Sequence, residues 1–207
     1  PWLEAYGKVA QAGEAQRFER YHEPTRRWYD VFVRRVDNAD PPRVAIVFSD
    51  ITLRKQAEAD LRANEERQAF LLNLTDALRP ISDANLIQAT TARMVAEHLG
   101  ADRAMYVEVE GELGSERGTL RGQYVRRGAA GEQVVPFPEH YTYGQFGQHT
   151  MAARYRGEPL VVSDVQTDPA YSAEERAAWA QFGVRAAIVA TLPKGGRLVA
   201  EFGVHST

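Results

Sequence analysis

Cysteine is absent from this sequence, and that absence removes disulfides, thiolate metal sites, cysteine nucleophiles and chromophores tethered through sulfur. His22, His98, His140, His149 and His205 show no ligand spacing such as two histidines four apart on a helix, so no metal is expected. Ser163-Asp164 beside His149 invites a hydrolase reading, but no nucleophile-elbow motif surrounds the serine, and no catalytic residues are expected. Gly144-Gln145-Phe146-Gly147 lacks the strand, lysine and helix of a phosphate loop and reads as a flexible turn. What remains is a binding constellation. Alternation along a strand puts Met105, Val107 and Val109 on one face and Ala104, Tyr106 and Glu108 on the other, and the second, more polar set suits a pocket. Opposite it we expect Tyr124 and Arg126 from the next strand, Phe146 and His149 from a crossing helix, and Asp164 at a strand end. The competing reading makes Tyr106, Tyr124 and Phe146 ordinary core aromatics and His149 a surface or satisfied core histidine.

The elements that position these residues belong to a chain of ordinary globular proportions. Its 207 residues carry 25 Lys and Arg against 28 Asp and Glu, with 44% hydrophobic residues, enough for one or two domains. A formal net charge of −3 supplies no basic surface for nucleic acid or an anionic membrane, and Arg34-Arg35 and Arg126-Arg127 read as solvated strand ends. No apolar run reaches the roughly 20 residues of a membrane span, and Pro1-Trp2-Leu3-Glu4 is not a secretory signal, so a cytoplasmic location is expected. Beginning at Pro1 without Met, the sequence is read as an excised piece, with processing or trimming as the alternative.

Leu3, Tyr6 and Val9/Ala10 recur at helical spacing up to Gly13. Three segments rich in aromatic and β-branched residues follow, Arg17–Tyr21, Trp28–Val36 and Arg43–Phe48, with turns at Glu23-Pro24-Thr25 and across Asn38–Pro42. They predict an antiparallel meander. From Ile51 to about Leu78 there is neither glycine nor proline, and good helix formers dominate, which predicts one long helix. Ala57, Leu61, Asn64, Gln68 and Leu71 fall on a broken heptad seam, with Glu58 and Arg62 paired on the outer face. Either the helix is a solvated linker or it forms a parallel two-stranded coiled coil in which polar Asn64 fixes register.

Pro80 ends that helix, Ser82 or Asp83 caps another with Leu86, Ile87, Thr90, Met94, Val95 and Leu99 on one face, and Gly100 stops it. Strands are then expected near Arg103–Val109, Thr119–Arg126, Glu132–Val135 and Leu160–Val165, with a helix from about Phe146 to Tyr155. Ser172 and Glu175 make a capping box for a helix ended by Gly183, and Arg185–Leu192 and Arg197–His205 flank a hairpin turn at Pro193–Gly196. The fold class is α+β.

The first block resembles the C-terminal half of a PAS domain through Arg27-Trp28-Tyr29-Asp30-Val31, Val44–Thr52 with its closing Asp50-Ile51-Thr52, and Arg54-Lys55-Gln56-Ala57-Glu58. In that family the helix after the last strand carries the output. The family's N-terminal strands have no counterpart here, so this half sheet is expected to be poorly ordered or completed by a neighbouring chain. The second block resembles a GAF domain of bacterial sensor proteins through Leu99–Ala104, Gly157–Val165, Asp168-Pro169 with Ser172–Arg176, Gly183–Ala186 and the closing Gly196–His205. The helix that normally follows that last strand has no counterpart.

The resemblance implies a GAF-like antiparallel sheet flanked by helices, preceded by a partial PAS-like meander and a long linker helix. The blocks run over residues 1–52 (PAS part), 53–80 (signalling helix) and 68–207 (GAF). It further implies the non-catalytic sensory input of a bacterial sensor histidine kinase, with a nucleotide cyclase or phosphodiesterase input and a ligand-free dimerisation scaffold as alternatives. A homodimer is expected through the helix. A covalent bilin is not expected without cysteine, and the Asn-Lys-x-Phe pattern of cyclic-nucleotide-binding relatives is absent. Any small-molecule ligand would be non-covalent and of unknown identity.

Overall fold

A computed structural model describes residues 2–36, 41–112, 114–127 and 134–207, apart from the side chains of Gln148 and His149. It divides into two compact units, Pro1–Ala69 and Phe70–Thr207.

The first unit holds α1 (Trp2–Ala12) and an antiparallel meander of β1 (Gln16–His22), β2 (Arg27–Val36) and β3 (Arg43–Asp50). Alternation along β2 buries Val31 and Val33 against Val9 of α1, with Trp2, Tyr6, Phe18 and Tyr29 packed around them. The turn foreseen across Asn38–Pro42 lies mostly outside the described residues. β3 is an edge strand, and its Val47 and Phe48 are each 65% exposed. Its last residue builds the corner into α2 (Thr52–Leu78). The Asp50 carboxylate accepts from the Thr52 amide at 2.9 Å and from the Thr52 hydroxyl at 2.6 Å, while Arg27 holds its other oxygen at 2.8 Å. An Asp-x-Thr sequence is suited to this, because a short carboxylate satisfies amides that the first helical turn leaves unpaired. α2 runs for 27 residues and buries none of them.

In the second unit Phe70, near the end of α2, stacks on His98 at 4.0 Å. α3 (Ala84–Leu99) starts at Asp83, whose carboxylate accepts from the Leu86 amide. Its fully buried residues are Ala92 and Ala96; of the face expected from periodicity, Ile87, Thr90, Met94 and Val95 are half-buried, whereas Leu86 and Leu99 are more than half exposed. Helix and sheet approach closely here: a Cβ at Gly122 of the underlying strand would lie 2.7 Å from Gln88 Cβ, and the small Ala92 and Ala96 pack with the half-buried Val95 against the sheet.

That sheet has six strands in the order β6-β5-β4-β9-β8-β7, all antiparallel. They are β4 (Arg103–Glu110), β5 (Arg117–Val125), β6 (His140–Thr142), β7 (Leu160–Val162), β8 (Ala186–Lys194) and β9 (Arg197–Ser206). The strand expected at Glu132–Val135 is not seen at Val134-Val135, which are irregular, and its first two residues lie outside the described ones. The short edge strand β6 had no signature, since three residues are too few to show alternation. A 3₁₀ turn over Tyr143–Phe146 leads into α4 (Gly147–Tyr155), so the helix begins one residue later than its pattern suggests. α5 (Ala173–Gln181) carries the expected capping box of Ser172 and Glu175. The β8–β9 hairpin turns at Gly195-Gly196, with Lys194 opposite Arg197.

Candidate functional site

β4 puts Arg103, Met105, Val107 and Val109 on one face, and its pairing with β9 sets His205 opposite Arg103, Gly203 opposite Met105 and Glu201 opposite Val107. This inner face is covered by the 3₁₀ turn, α4 and α5, whose Tyr143, Phe146, Met151 and Trp179 join its core. An arginine, a histidine and a carboxylate therefore stand in an apolar field, and each is buried.

Arg154 of α4 donates from Nε to Glu201 Oε2 at 2.8 Å, with the two side chains 3% and 6% exposed. The Tyr141 hydroxyl donates to Glu201 Oε1 at 3.1 Å and lies 3.2 Å from the Tyr143 hydroxyl, while the Arg154 guanidinium sits over the Tyr143 ring. Gly118, opposite Tyr141 in β5, makes room for this: a Cβ there would come within 2.6 Å of the ring. On the far side of the Phe137 ring, Arg103 donates to the carbonyls of Val135 and Phe182 and to His205 Nδ1.

Burial and the neighbouring Glu201 charge push the Tyr141 and Tyr143 hydroxyls up, so neither serves as a base. Burial opposes the Arg154 charge, but Glu201 outweighs it and holds the guanidinium protonated. Burial lowers Arg103 to about 10, which still leaves it charged at neutral pH. Burial, then Arg103 and Arg154, push His205 well below its ordinary range, so it is neutral and its Nδ1 is engaged as an acceptor. The arrangement is a buried network of hydrogen bonds and one ion pair inside the core, and none of these residues is a poised proton donor or nucleophile.

Of the residues expected to form one pocket, Phe146 lies on this inner face, 5.0 Å ring to ring from Trp179. Tyr124 packs with Ala92, Ala96 and Ala104 under α3, on the opposite face, and Tyr106 shares that face opposite Gly122 and Phe202. Arg126 pairs with Asp102 at 2.7 Å at the sheet end, and Asp164 pairs with Arg185 at 2.8 Å and accepts from the Gln166 amide. His149 is in α4, and its side chain is outside the described residues. The expected constellation is thus not assembled: alternation is as read, but the helices bearing Phe146 cover the Met105/Val107 face and α3 covers the other. Glu108, the residue that made the second face look pocket-like, is an exposed partner of Arg121.

Glu201, Arg154, Tyr141, Arg103 and His205 went unrecognised. Their signal was the closing strand itself, where Glu201, Gly203 and His205 alternate with Ala200, Phe202 and Val204 and place a charge on a face too apolar to be solvated. The seam residues Ala57, Leu61, Asn64, Gln68 and Leu71 are all exposed on α2. Among the described residues no cluster of histidines and carboxylates could hold a metal ion, and no helix is long and apolar enough to cross a membrane.

The GAF domain profile matches residues 83–207, starting at the cap of α3. No curated protein matches the chain. Among solved structures, the chromophore-binding domain of the Stigmatella aurantiaca bacteriophytochrome is 15% identical with a TM-score of 0.53, over 99% of this chain and 69% of that one. The phycocyanobilin-bound GAF domain of a cyanobacterial phytochrome is 15% identical with a TM-score of 0.53, over 67% and 79% of the two chains. A biliverdin-bound protein in its far-red-absorbing dark state is 16% identical with a TM-score of 0.52, over 66% and 82%. At these identities the likeness is one of fold. The profile, however, spans more than half of the sequence and coincides with the α3-to-β9 architecture, and the chain belongs to the GAF domain family.

Proposed function

We propose that this chain is a non-catalytic sensory input segment of a bacterial signal-transduction protein, in which α2 pairs with its counterpart in a second copy and couples a PAS-type first unit to the GAF domain. The observation that carries this reading is α2 itself, whose 27 residues bury nothing within one copy although Leu61, Leu71 and Leu72 are apolar. A helix that buries no side chain gains little from tertiary packing, and pairing along the Ala57–Leu71 seam supplies that burial. A sensor histidine kinase is the output we favour, and a nucleotide cyclase or phosphodiesterase would use the same segment. A ligand at the inner face shifts such an output only through unequal affinity for two arrangements of the helix pair, and about 1–3 kcal/mol of coupling suffices.

Light scattering coupled to size exclusion tests the association, with a dimer expected and a monomer at high concentration contradicting it. The packed rings of Phe137, Phe146, Trp179 and Phe182 favour a second reading, a GAF scaffold with a filled core. A dimer whose unfolding temperature responds to no small molecule would select the scaffold.

A further inference from the structure

Val134 to Glu139 lead into β6 without forming a strand or helix of their own. Pro136 and Pro138 flank Phe137 and have no amide to give to a ladder, so the holding of this stretch falls largely to side chains. Gln123 Oε1 accepts from the Phe137 amide at 2.7 Å, Arg103 donates to the Val135 carbonyl, and the Leu120 amide donates to the Glu139 carbonyl at 2.8 Å. The Phe137 ring closes over the inner core. It stacks on Phe182 at 4.7 Å and lies 5.0 Å from the Arg103 guanidinium and 5.7 Å from the His205 ring. A segment tied by a few hooks rather than by a ladder can open separately from the sheet.

Arg103 is the hub of this fastening. Besides Val135 it reaches the carbonyl of Phe182, at the end of α5, and His205 Nδ1 at 3.2 Å. Because a guanidinium only donates, His205 Nδ1 must accept, and it does so only while it carries no proton. A proton there would turn the hydrogen bond into a contact between two cations. The ring is boxed in by Trp179 at 6.3 Å, by Phe137, and by Gly203, where a Cβ would lie 3.3 Å from Nε2. Among the described residues, the other charged groups around it are Arg154 of α4, Glu201 of β9 and Asp102 of β4. Arg154 adds to the repulsion. Glu201 is engaged by Arg154 and Tyr141, and Asp102 by Arg126 and Thr207, so neither carboxylate is placed to receive an imidazolium.

We propose that residues 134–139 form an acid-released strap: a proton on His205 drives Arg103 off the Val135 and Phe182 carbonyls, and Phe137 lifts from the inner core. Release brings the imidazolium to water and separates it from Arg103, so the open strap takes the proton that the closed one refuses. The second unit thereby responds to mild acid, whatever the association of α2.

Amide exchange of the whole chain from about pH 6.5 to about 5.5, below the ordinary histidine value and corrected for the intrinsic rate at each pH, tests this. The Phe137 and Leu120 amides are expected to be at least about tenfold less protected than the β4–β9 ladder, because the strap opens without the sheet. Their protection is expected to fall with pH, by up to about tenfold per unit. His205→Gln keeps an acceptor for Arg103 and is expected to flatten that fall. His140→Gln, which removes the surface histidine beside Glu139, is expected to leave it unchanged. Gln123→Ala removes one hook and no titrating group, so opening should rise at every pH with the same slope; no rise there would overturn the strap even if His205→Gln does not fold. Equal protection of strap and ladder amides would also overturn it, since opening would then be global. A strap that opens alone without pH dependence, or a slope that survives in His205→Gln, would overturn the role of His205 and with it the proposal.

Discussion

The Arg154–Glu201 pair is the point at which the second unit is most sensitive to a single atom group. Glu201→Ala strands a guanidinium that is 3% exposed, and a loss of about 3–5 kcal/mol is expected. Replacing both residues by Met should recover most of it, and urea unfolding of the two variants checks the difference. His205 makes a separate prediction. Its folded-state pKa lies well below 6.5, so below that pH the unfolded chain binds a proton that the folded chain does not. Stability should therefore fall as pH drops from about 6.5, with a slope of at most about 1.4 kcal/mol per pH unit. His205→Gln should flatten the profile between pH 6.5 and 5. Asp102 acts in a lower window: burial raises its pKa, but the hydrogen bonds from Thr207 and Arg126 together lower it, and its contribution is lost only as pH falls below the ordinary carboxylate range. Single residues were the least legible scale. Alternation sorted β4 into two faces correctly but carried no information on which face the helices would cover, because that choice depends on connections between distant elements. Phe146 was found for its type, while Arg154, one residue among many arginines, is distinguished only by facing Glu201 across 47 positions of sequence.

Elements with local signals were read well, and those shaped by neighbours were not. The Asp50–Thr52 corner, the Ser172–Glu175 capping box and the glycines after α3 and α5 are set by side chains within a few residues, so their patterns suffice. The most buried positions of α3 face Gly122, 30 or so positions on, and a periodicity argument that weights large apolar residues finds the half-buried Ile87, Met94 and Val95 but passes over Ala92 and Ala96. Gly122→Ala tests this directly: its new methyl meets Gln88 Cβ and the α3 backbone, and a loss of about 1–3 kcal/mol is expected from the shift in the urea midpoint. For α2 the prediction concerns Asn64, exposed within one copy and lying on the proposed pairing seam. Asn64→Leu should tighten association while admitting more than one oligomeric state, visible as a broadened mass distribution by light scattering. A solvated helix would show no change in mass.

For the whole molecule, two units of different size are joined through one uninterrupted helix, and the boundary between them falls inside it, at Ala69–Phe70. The α+β class was legible, because strand-forming segments alternate with stretches of good helix formers, the long glycine-free one above all. The first unit, expected to be loose or completed by another chain, has its own small core of Val9, Val31 and Val33 but keeps β3 as an exposed edge. The proposed transmission requires that α2 pair in parallel and in register. Since the chain has no cysteine, Leu61→Cys introduces the only thiol in each copy, and Arg62→Cys places one on the outer face as its control. Under mild oxidation the account predicts rapid disulfide-linked dimers for Leu61→Cys and slow or no linkage for Arg62→Cys, because only the seam brings equivalent Cα atoms within about 7 Å. Equal linkage at both positions, or none at Leu61→Cys, would contradict it.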